Sequence, residues 1–591
     1  MKRKKTIILT LILTFILSGC GHAVKVPAAA ESVNETIESS FTIPDESVQT
    51  AQTGLVGTDF KEISYEPYDT TELEKMLTKA ELLYSFSSNA DELLALFDQI
   101  LEEEQYLLLS CDLLSLYSDM DITNTYYQEE YVSVIESFYE IDDRIYNLGI
   151  SILESDYGDD ARAIWDSDRI AYFENYYEAG ENINDLLIQE EQLINEYYLA
   201  ASEVYTAKIN GTDYTLDELY DDMSITDEEY IAAYDDILQQ ENIVLGEIFL
   251  DLIDIRQEIA ASYGFDSYID YCYASFNDND FSPEQAVSFC NDVKDTLVDT
   301  YISFYNDFDW ESADELDYDI SGMIVKDQLD LLRPYFGKIH PDLQRYFTFM
   351  EENHLYSLIY NTKKVDSGYT TFLHVYNEPF IFNQPVFLFY DLSTIVHEFG
   401  HFYAYCLNSE NTDYVSNTNL SEIHSQGLEL LFAGFFNEMF ETKYGSLPGQ
   451  YLLLNTLDNI VTGCMYDEFQ QEVYQLDDPT LKEINAIYGR LSAEYGLSED
   501  PDIPGYDWVL TSHNYDQPFY YISYAVSAVP ALEIWEIAQE DLDQACSIYN
   551  DLVTAGERGT LEDTLQACGL QSPFAEGRIE ELSETLSEDF K

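Results

Sequence analysis

One five-residue motif constrains this chain more than any other feature of its sequence. Residues 397–401 read His-Glu-Phe-Gly-His, and apolar residues recur at helical spacing from 391 to 407 around them. This periodicity predicts an amphipathic helix on which His397 and His401 face the same side, one turn apart. Two imidazoles so placed can hold a metal ion, and we predict one Zn²⁺ per chain. Glu398 lies about 100° further round the helix, where it can take a proton from a zinc-activated water.

A zinc site that performs chemistry needs a third protein ligand and keeps a fourth position open. The segment 421–429 predicts the start of a second helix and offers Glu422 as that ligand. Glu422 and Glu429 are seven residues apart and share a helix face, so Glu429 can hold a zinc-bound histidine by its far nitrogen. His424 is a rival third ligand, although it projects about 200° away from Glu422.

Composition excludes some classes of partner. Lys and Arg number 26 against 114 Asp and Glu, which gives a formal net charge of -88. So much negative charge repels phosphates, and we therefore expect no nucleic-acid partner. An aromatic content of 15% indicates a folded protein and not a disordered acidic chain. The cysteines that follow Cys20 are scattered without a Cys-x-x-Cys, which predicts buried apolar side chains; one disulfide bridge stays an open alternative.

The first sixty residues predict export and anchoring. A cationic start and an apolar run over 6–17 lead to a Leu-Ser-Gly-Cys sequence ending at Cys20, similar to a bacterial lipoprotein cleavage box. We expect a signal peptide over 1–19, a lipid on Cys20, and a flexible tether over 20–60. The predicted location is the bacterial cell envelope, on the outer side of the cytoplasmic membrane, with membrane contact through the Cys20 lipid only. The alternative is a plain secretory signal with an incidental cysteine.

The rest of the chain is predicted to be mainly α-helical. From 71 to about 360, apolar residues recur at three- and four-residue steps with few Pro or Gly. Asn210 and Gly211, between short alternating segments, predict a β-hairpin. Aromatic and β-branched residues at 368–375 and 379–384 predict two short strands of a small sheet just before the zinc helix.

Together these motifs resemble the thimet-oligopeptidase family of zinc peptidases, and most closely its oligoendopeptidase F branch. The zinc helix with Glu422 and Glu429 is the most specific part of the likeness, which extends over about 65–591. The Gly-rich loop of the thimet branch is absent, and 514–517 stands in its place, which favours the F branch. The resemblance implies a helical, two-lobed zincin peptidase with a deep central channel and a small β-sheet beside the zinc helix. We expect an N-terminal helical lobe over 61–345 and a zinc catalytic lobe over 346–591.

The same resemblance implies roles for individual residues. The zinc ligands would be His397, His401 and Glu422, supported by Glu429, with Glu398 as the general base. His513 and Tyr524 would bind the substrate and the developing oxyanion. The further substrate-binding residues would be Gly368, Tyr369, and either Tyr520 or Tyr521.

These residues predict a zinc-dependent endopeptidase that hydrolyses internal bonds of short peptides. In this hypothesis the strand at 380–384 pairs with an extended peptide backbone. An end-trimming zinc carboxypeptidase and a lipid-anchored peptide-binding protein are the alternatives. A purely structural zinc site would require four protein ligands.

Overall fold

The computed structural model describes residues 55–86, 89–165, 167–174, 183–222, 224–277, 279–408, 417–498, 505–557 and 559–589. The predicted signal peptide, Cys20 and the tether up to residue 54 lie outside these ranges. Within the ranges, no helix is both long and apolar enough to cross a bilayer. The seven cysteines found there are all free thiols, which agrees with the prediction of no disulfide framework.

The described chain is mainly α, as predicted. Its N-terminal helices are α1 (Thr71–Phe86), α2 (Ala90–Met120), α3 (Thr125–Glu154), α4 (Gly158–Ile164), α5 (Ser167–Glu174), α6 (Ile183–Ala201), α7 (Leu216–Asp221) and α8 (Asp227–Ser262). The next group is α9 (Tyr268–Tyr271), α10 (Pro283–Asp292), α11 (Val298–Asp307), α12 (Trp310–Ile320), α13 (Val325–Ile339) and α14 (Pro341–Glu352). Two π-helical turns, Cys272–Phe276 and Val293–Leu297, follow α9 and α10.

The C-terminal helices carry the zinc motif and its neighbours. They are α15 (Tyr390–Asn408), α16 (Thr418–Tyr444), α17 (Leu447–Tyr474), α18 (Leu481–Glu494), α19 (Tyr521–Glu540), α20 (Leu542–Ala555), α21 (Leu561–Cys568) and α22 (Arg578–Asp589). Short 3₁₀ turns occur at Phe60–Glu62, Asp507–Leu510 and Ser512–Asn514. Helices α17 and α19 are buried along most of their length. Helix α17 buries polar residues such as Asp458 and Asp467 together with its apolar ones.

The buried apolar side chains of the described residues form three separate hydrophobic cores. One small core is built by α1 to α5, from Leu73 to Phe173. The large core contains residues on both sides of position 345, from Leu55 to Leu586. A third, small core extends from Ala207 to Ile237 and includes Leu219 of α7 and the start of α8. The domain boundary at 345 itself stays a prediction.

The predicted hairpin is present as β1 (Ala207–Ile209) and β2 (Thr212–Tyr214), paired antiparallel. Asn210 and Gly211 both have positive φ, 53° and 90°, as a two-residue hairpin turn requires. Asn and Gly tolerate this conformation better than other residues, which is why the dipeptide predicted the turn.

The second sheet stands beside α15 and has strand order β3-β5-β4. Its strands are β3 (Tyr356–Ser357), β4 (Gly368–Leu373) and β5 (Glu378–Asn383). The two strands predicted before the zinc helix are β4 and β5, paired antiparallel with Gly368 opposite Asn383. The expectation that 380–384 pairs with a peptide is wrong, because β5 is the central strand and is already bonded on both sides. Among the described strands of this sheet, β3 and β4 lie at the edges, and β4 is the longer of the two.

Residues 55–60 belong to the folded body, so the tether as predicted extends too far. Leu55 is buried, and the Phe60 ring lies 4.2 Å from that of Phe380 on β5. The buried carboxylate of Glu378 accepts hydrogen bonds from the backbone amides of Gly57 and Thr58. This segment is therefore fastened to the turn that joins β4 and β5.

Candidate metal centre

The zinc motif lies on α15, which crosses α16 at very short range. A Cβ atom on Gly400 would lie 2.6 Å from Ser425 Cα and 2.7 Å from the His424 carbonyl oxygen, both on α16. These are backbone atoms that cannot move aside, so only glycine permits this crossing. The close contact brings the start of α16, with Glu422, under the two histidines of α15.

Three side chains converge at this crossing. Ligand atoms of His397, His401 and Glu422 all lie within 4.8 Å of one another. His397 Nε2 is 3.6 Å from Glu422 Oε2, and His401 Nε2 is 3.9 Å from Glu422 Oε1. The side chains of His397 and His401 are 20% and 12% exposed, so the cluster is open on one side. The three predicted ligands thus form a group that could hold a metal ion.

The Nδ1 atom of each histidine lies within hydrogen-bonding distance of a side-chain oxygen. His397 Nδ1 lies 3.2 Å from Glu429 Oε2, and His401 Nδ1 lies 3.2 Å from Ser421 Oγ. An Nδ1–H that donates to these oxygens leaves the Nε2 lone pair of each ring directed at Glu422. The predicted contact between Glu429 and a histidine is present, whereas the sequence reasoning did not identify Ser421.

Glu398 lies beside the cluster and is held by a residue of the neighbouring sheet. The Thr370 hydroxyl on β4 is 2.7 Å from Glu398 Oε2, close enough to donate a hydrogen bond. Burial raises the pKa of Glu398 to about 7, against the lowering influence of His397 and of the Thr370 hydrogen bond. A carboxyl group with such a pKa can both accept and release a proton near neutral pH. Sequence reasoning missed Thr370, although strand alternation places it on the face toward α15.

The two histidines differ in their electrostatic surroundings. Burial lowers the pKa of His397, but Glu429, Glu422 and Glu398 outweigh that effect and raise it to about 9. Burial, reinforced by the neighbouring His397, lowers the pKa of His401 well below its usual value. Burial also raises the pKa of Glu422. Without a cation, the cluster therefore contains carboxyl groups that burial makes costly to ionise.

Tyrosine and histidine side chains from the C-terminal part of the chain lie next to the same cluster. The Tyr520 hydroxyl donates a hydrogen bond to Glu422 Oε1 at 2.6 Å. Tyr524 Oη lies 3.3 Å from His513 Nε2, so these two predicted residues are also together. Tyr521 is buried, with its ring 4.8 Å from that of Tyr466. Between the two tyrosines that the sequence left open, Tyr520 is the one that contacts the candidate ligand.

The loop that carries His513 is tied to the N-terminal half by Arg256 of α8. The fully buried guanidinium donates to the carbonyl oxygens of Asn514, at 2.9 Å, and Tyr515. Its charge is paired with Glu190 of α6 at 2.7 Å. A planar guanidinium can serve these acceptors at once, which fixes the loop relative to α6 and α8.

The remaining predicted residues occupy other positions. Tyr369 points to the opposite face of β4 from Thr370, stacks on Phe382 at 4.9 Å, and donates a hydrogen bond to Asp119 at 2.6 Å. Gly368 is exposed at the start of β4. The rival ligand His424 is fully buried and is not part of the three-residue cluster. Burial lowers the pKa of His424 to about 4.

The fold and this cluster together define a class of protein. Residues 345–584 match the family model described as Peptidase family M3, and that stretch contains every residue of the three-ligand cluster. The predicted resemblance to this family of zinc peptidases is therefore confirmed.

Within the class, the relatives support the oligoendopeptidase F branch. A stretch of 191 residues is 28% identical to the chromosomal oligoendopeptidase F of Lactococcus lactis subsp. cremoris, and covers 30% of this chain and 31% of that protein. A stretch of 212 residues is 24% identical to an oligoendopeptidase F homolog of Lactococcus lactis subsp. lactis, and covers 34% of this chain and 35% of the homolog. The chain thus spans about a third of the length of the curated relatives it matches.

Solved structures share the fold over most of its length. The structure of PZ peptidase A with inhibitor 2 has a TM-score of 0.76 at 20% identity and covers 90% of this chain and 99% of its own. A structure described as an oligoendopeptidase F from Bacillus anthracis has a TM-score of 0.72 at 20% identity, with 90% and 98% covered. Oligoendopeptidase-F from Enterococcus faecium has a TM-score of 0.53 at 16% identity, with 88% and 96% covered. These likenesses confirm the predicted mainly α, two-lobed peptidase fold.

Proposed function

We propose that this protein is a zinc-dependent endopeptidase that hydrolyses internal bonds of short peptides. The observation that carries the proposal is the convergence of His397, His401 and Glu422, with Glu398 beside them. Two imidazole nitrogens and one carboxylate oxygen are a donor set that zinc prefers, and three protein ligands leave a position for chemistry. A bound zinc ion supplies Lewis acidity, which polarises a peptide carbonyl and makes water more acidic.

The chain's own residues supply the proton transfers and the orientation. Glu398 takes a proton from the attacking water and delivers it to the leaving amine, a role typically worth about 10²–10⁴-fold in rate. The Thr370 hydrogen bond at 2.7 Å holds the Glu398 carboxylate in place during both transfers. The Tyr524 hydroxyl and His513 stabilise the developing oxyanion, and losing one such donor costs about 10²–10³ in kcat.

The edge position of β4 supports a substrate-binding role for the backbone around Gly368 and Tyr369. An extended peptide can add to an exposed strand edge through main-chain hydrogen bonds, which gives affinity without strict side-chain selectivity. The Tyr369 side chain is hydrogen-bonded to Asp119 on the other face of the strand, so Tyr369 would contact a peptide through its backbone.

The first test uses a short, internally quenched peptide blocked at both ends, with and without a zinc chelator. We expect chelator-sensitive cleavage inside the peptide. A carboxypeptidase would leave this blocked peptide intact and cut one with a free C-terminus. Binding without any cleavage in zinc-loaded protein would instead support a peptide-binding protein.

Glu398→Gln tests the assignment of the general base. This variant should keep its zinc content and lose about 10²-fold or more of kcat. The matched control is Glu441→Gln, an exposed position at the far end of α16, which should cleave at the wild-type rate. Wild-type turnover in Glu398→Gln would remove Glu398 from this role.

We also propose that the protein is anchored outside the cytoplasmic membrane by a lipid on Cys20. The support is the cationic start, the apolar run and the Leu-Ser-Gly-Cys sequence that ends at Cys20. Cys20→Ser should move the protein from the membrane fraction to the soluble fraction of fractionated cells. An unchanged distribution would argue against lipidation.

A further inference from the structure

The peptide bond between Pro518 and Phe519 is held on both sides by buried side-chain amides. Gln470 of α17 accepts a hydrogen bond from the Phe519 N–H at its Oε1 atom. Asn277, which follows the π-helical turn Cys272–Phe276, donates from Nδ2 to the Pro518 carbonyl oxygen at 3.0 Å. The plane of this peptide is therefore fixed by two segments that lie far from it in the sequence.

Phe519 has a backbone conformation that needs such support. Its φ is 60°, in the left-handed region that a residue with a bulky side chain rarely adopts. A conformation of this kind costs free energy and persists only where the surrounding structure enforces it. Rotation of the preceding peptide plane would change this φ, and the hydrogen bonds from Asn277 and to Gln470 oppose that rotation.

The turn at Phe519 leads directly to a residue of the metal site. Tyr520 is the next residue, and its hydroxyl donates a hydrogen bond to Glu422 Oε1 at 2.6 Å. The dihedral angles of Phe519 set the direction in which the chain continues, so they also set where the Tyr520 ring lies. A rotated peptide before Phe519 would carry the Tyr520 hydroxyl away from Glu422.

Gln470 also holds the other end of the same loop. Its Nε2 atom donates a hydrogen bond to Asn514 Oδ1 at 2.7 Å. Asn514 directly follows His513, whose Nε2 lies 3.3 Å from Tyr524 Oη. The Gln470 amide thus uses its oxygen for one end of the loop and its nitrogen for the other. One side chain of α17 contacts the chain neighbours of both His513 and Tyr520.

We propose that Gln470 is a positioning residue that directs His513 and Tyr520 toward the metal site. It acts on His513 through the Asn514 side chain and on Tyr520 through the peptide N–H of Phe519. A single substitution in α17 should therefore change both substrate turnover and zinc binding. This inference rests on the proposed function, since it requires His513 and Tyr520 to act beside a zinc ion.

The experiment measures kcat and KM for a blocked peptide and, separately, zinc affinity by competition with a chromophoric chelator. Gln470→Met keeps a side chain of similar length and loses the amide group. It should lower kcat by about 10–100-fold, because small displacements of positioned groups slow a reaction strongly. It should weaken zinc binding by up to about 10-fold through loss of the contact between Tyr520 and Glu422. Gln470→Glu keeps an oxygen for the Phe519 N–H and should retain more of both properties.

A double variant tests whether the effect on zinc passes through Tyr520. Gln470→Met combined with Tyr520→Phe should bind zinc no more weakly than Tyr520→Phe alone, because the hydrogen bond to Glu422 is already missing. This comparison needs no peptide and is therefore independent of turnover.

Gln471→Met is the matched control on the same helix. Gln471 is also buried, and its Nε2 donates a hydrogen bond to Asp467 Oδ2 at 2.7 Å, one turn away on α17. The unfolding midpoint should fall in both methionine variants, whereas Gln471→Met should keep the wild-type kcat and zinc affinity. If Gln470→Met does not fold, Asn277→Ala tests the same peptide from its other side and should show paired losses of kcat and zinc affinity.

Three results would overturn the inference and leave the proposed function standing. Wild-type kcat and zinc affinity in Gln470→Met would show that the loop keeps its position without this amide. Equal losses in Gln470→Met and Gln471→Met would indicate a general effect of removing a buried amide from α17. Zinc losses that add fully in the double variant would show that Gln470 acts by another route. A wild-type chain that neither binds zinc nor cleaves peptides would overturn the proposed function as well.

Discussion

The Tyr520 hydroxyl lies 2.6 Å from Glu422 Oε1 and joins α19 to the candidate metal ligand on α16. The ring of the next residue along the chain, Tyr521, is buried 4.8 Å from that of Tyr466 and 4.9 Å from that of His513. Tyr520 therefore contacts the candidate ligand through its hydroxyl group, whereas Tyr521 packs its ring between the core and His513. The sequence offered no basis for this choice, because both residues fit the same motif.

This difference predicts opposite outcomes for two conservative variants. Tyr520→Phe removes a hydrogen bond to the charged Glu422 and should weaken zinc binding by about 10-fold or more. Tyr521→Phe should leave zinc affinity near the wild-type value, because its ring stays in the core. Competition with a chromophoric chelator measures both. Equal losses in the two variants would contradict the assignment.

Zinc should stabilise the folded protein through the three-ligand cluster. A ligand that binds only the folded state, present at about 100 times its Kd, raises the free energy of unfolding by about 2.7 kcal/mol. The unfolding midpoint of the wild type should therefore rise with added zinc and fall with chelator. Glu422→Gln should lose this response, while Glu441→Gln on the same helix should keep it. A zinc response that survives in Glu422→Gln would place the metal elsewhere.

The contact between α15 and α16 predicts that Gly400 tolerates no side chain. Gly400→Ala would force backbone atoms of α16 to move and should lower the free energy of unfolding by about 1–3 kcal/mol. Gly434→Ala is the matched control, because a Cβ there meets nothing within 4 Å. Alanine at that helical position should be neutral or stabilising by up to about 1 kcal/mol. Denaturant unfolding of both variants, with zinc chelated, compares the two sites without the metal's contribution.

Asp458 on α17 predicts a measurable dependence of stability on pH. Burial raises its pKa from 3.8 to about 7, partly opposed by the hydrogen bond from the Tyr301 hydroxyl. The folded protein therefore binds more protons than the unfolded chain between these two pKa values. Its free energy of unfolding should fall as pH rises through that window, with the contribution fully present below the lower value and lost above the higher one.

Asp458→Asn removes the titratable carboxyl group and keeps a side-chain oxygen that can accept the hydrogen bond from Tyr301. In this variant the free energy of unfolding should decrease less steeply with pH, by up to about 1.4 kcal/mol per pH unit. Asp299→Asn, an exposed position with the same change in charge, should leave the slope as it is. Denaturant titrations at several pH values measure each slope. An unchanged slope in Asp458→Asn would mean that Asp458 does not titrate in this range.

Local patterns in the sequence determined the secondary-structure elements and the candidate metal ligands of this protein. Helical periodicity, the Asn210–Gly211 turn and the β-branched strands are short-range signals, and the structure contains all of these elements. His397 and His401 are one helical turn apart, so the sequence alone predicts that their side chains lie on the same face. Spacing on a second helix also identified Glu422 as a candidate ligand, and the close crossing of the two helices brings it to the histidines.

Contacts between distant segments were decided only by the tertiary structure. The Thr370 hydroxyl reaches Glu398 and the Ser421 hydroxyl reaches His401 across helix and strand boundaries, and no periodicity relates these positions. Strand order is likewise a property of the assembled sheet, which is why the expectation of a free strand at 380–384 was wrong. The sequence by itself determined which residues are the candidates for the chemistry, because helical spacing relates His397 to His401 and Glu422 to Glu429 locally. The fold decided which hydroxyls and carboxylates orient them, because hydrogen bonds depend on distances that only packing creates.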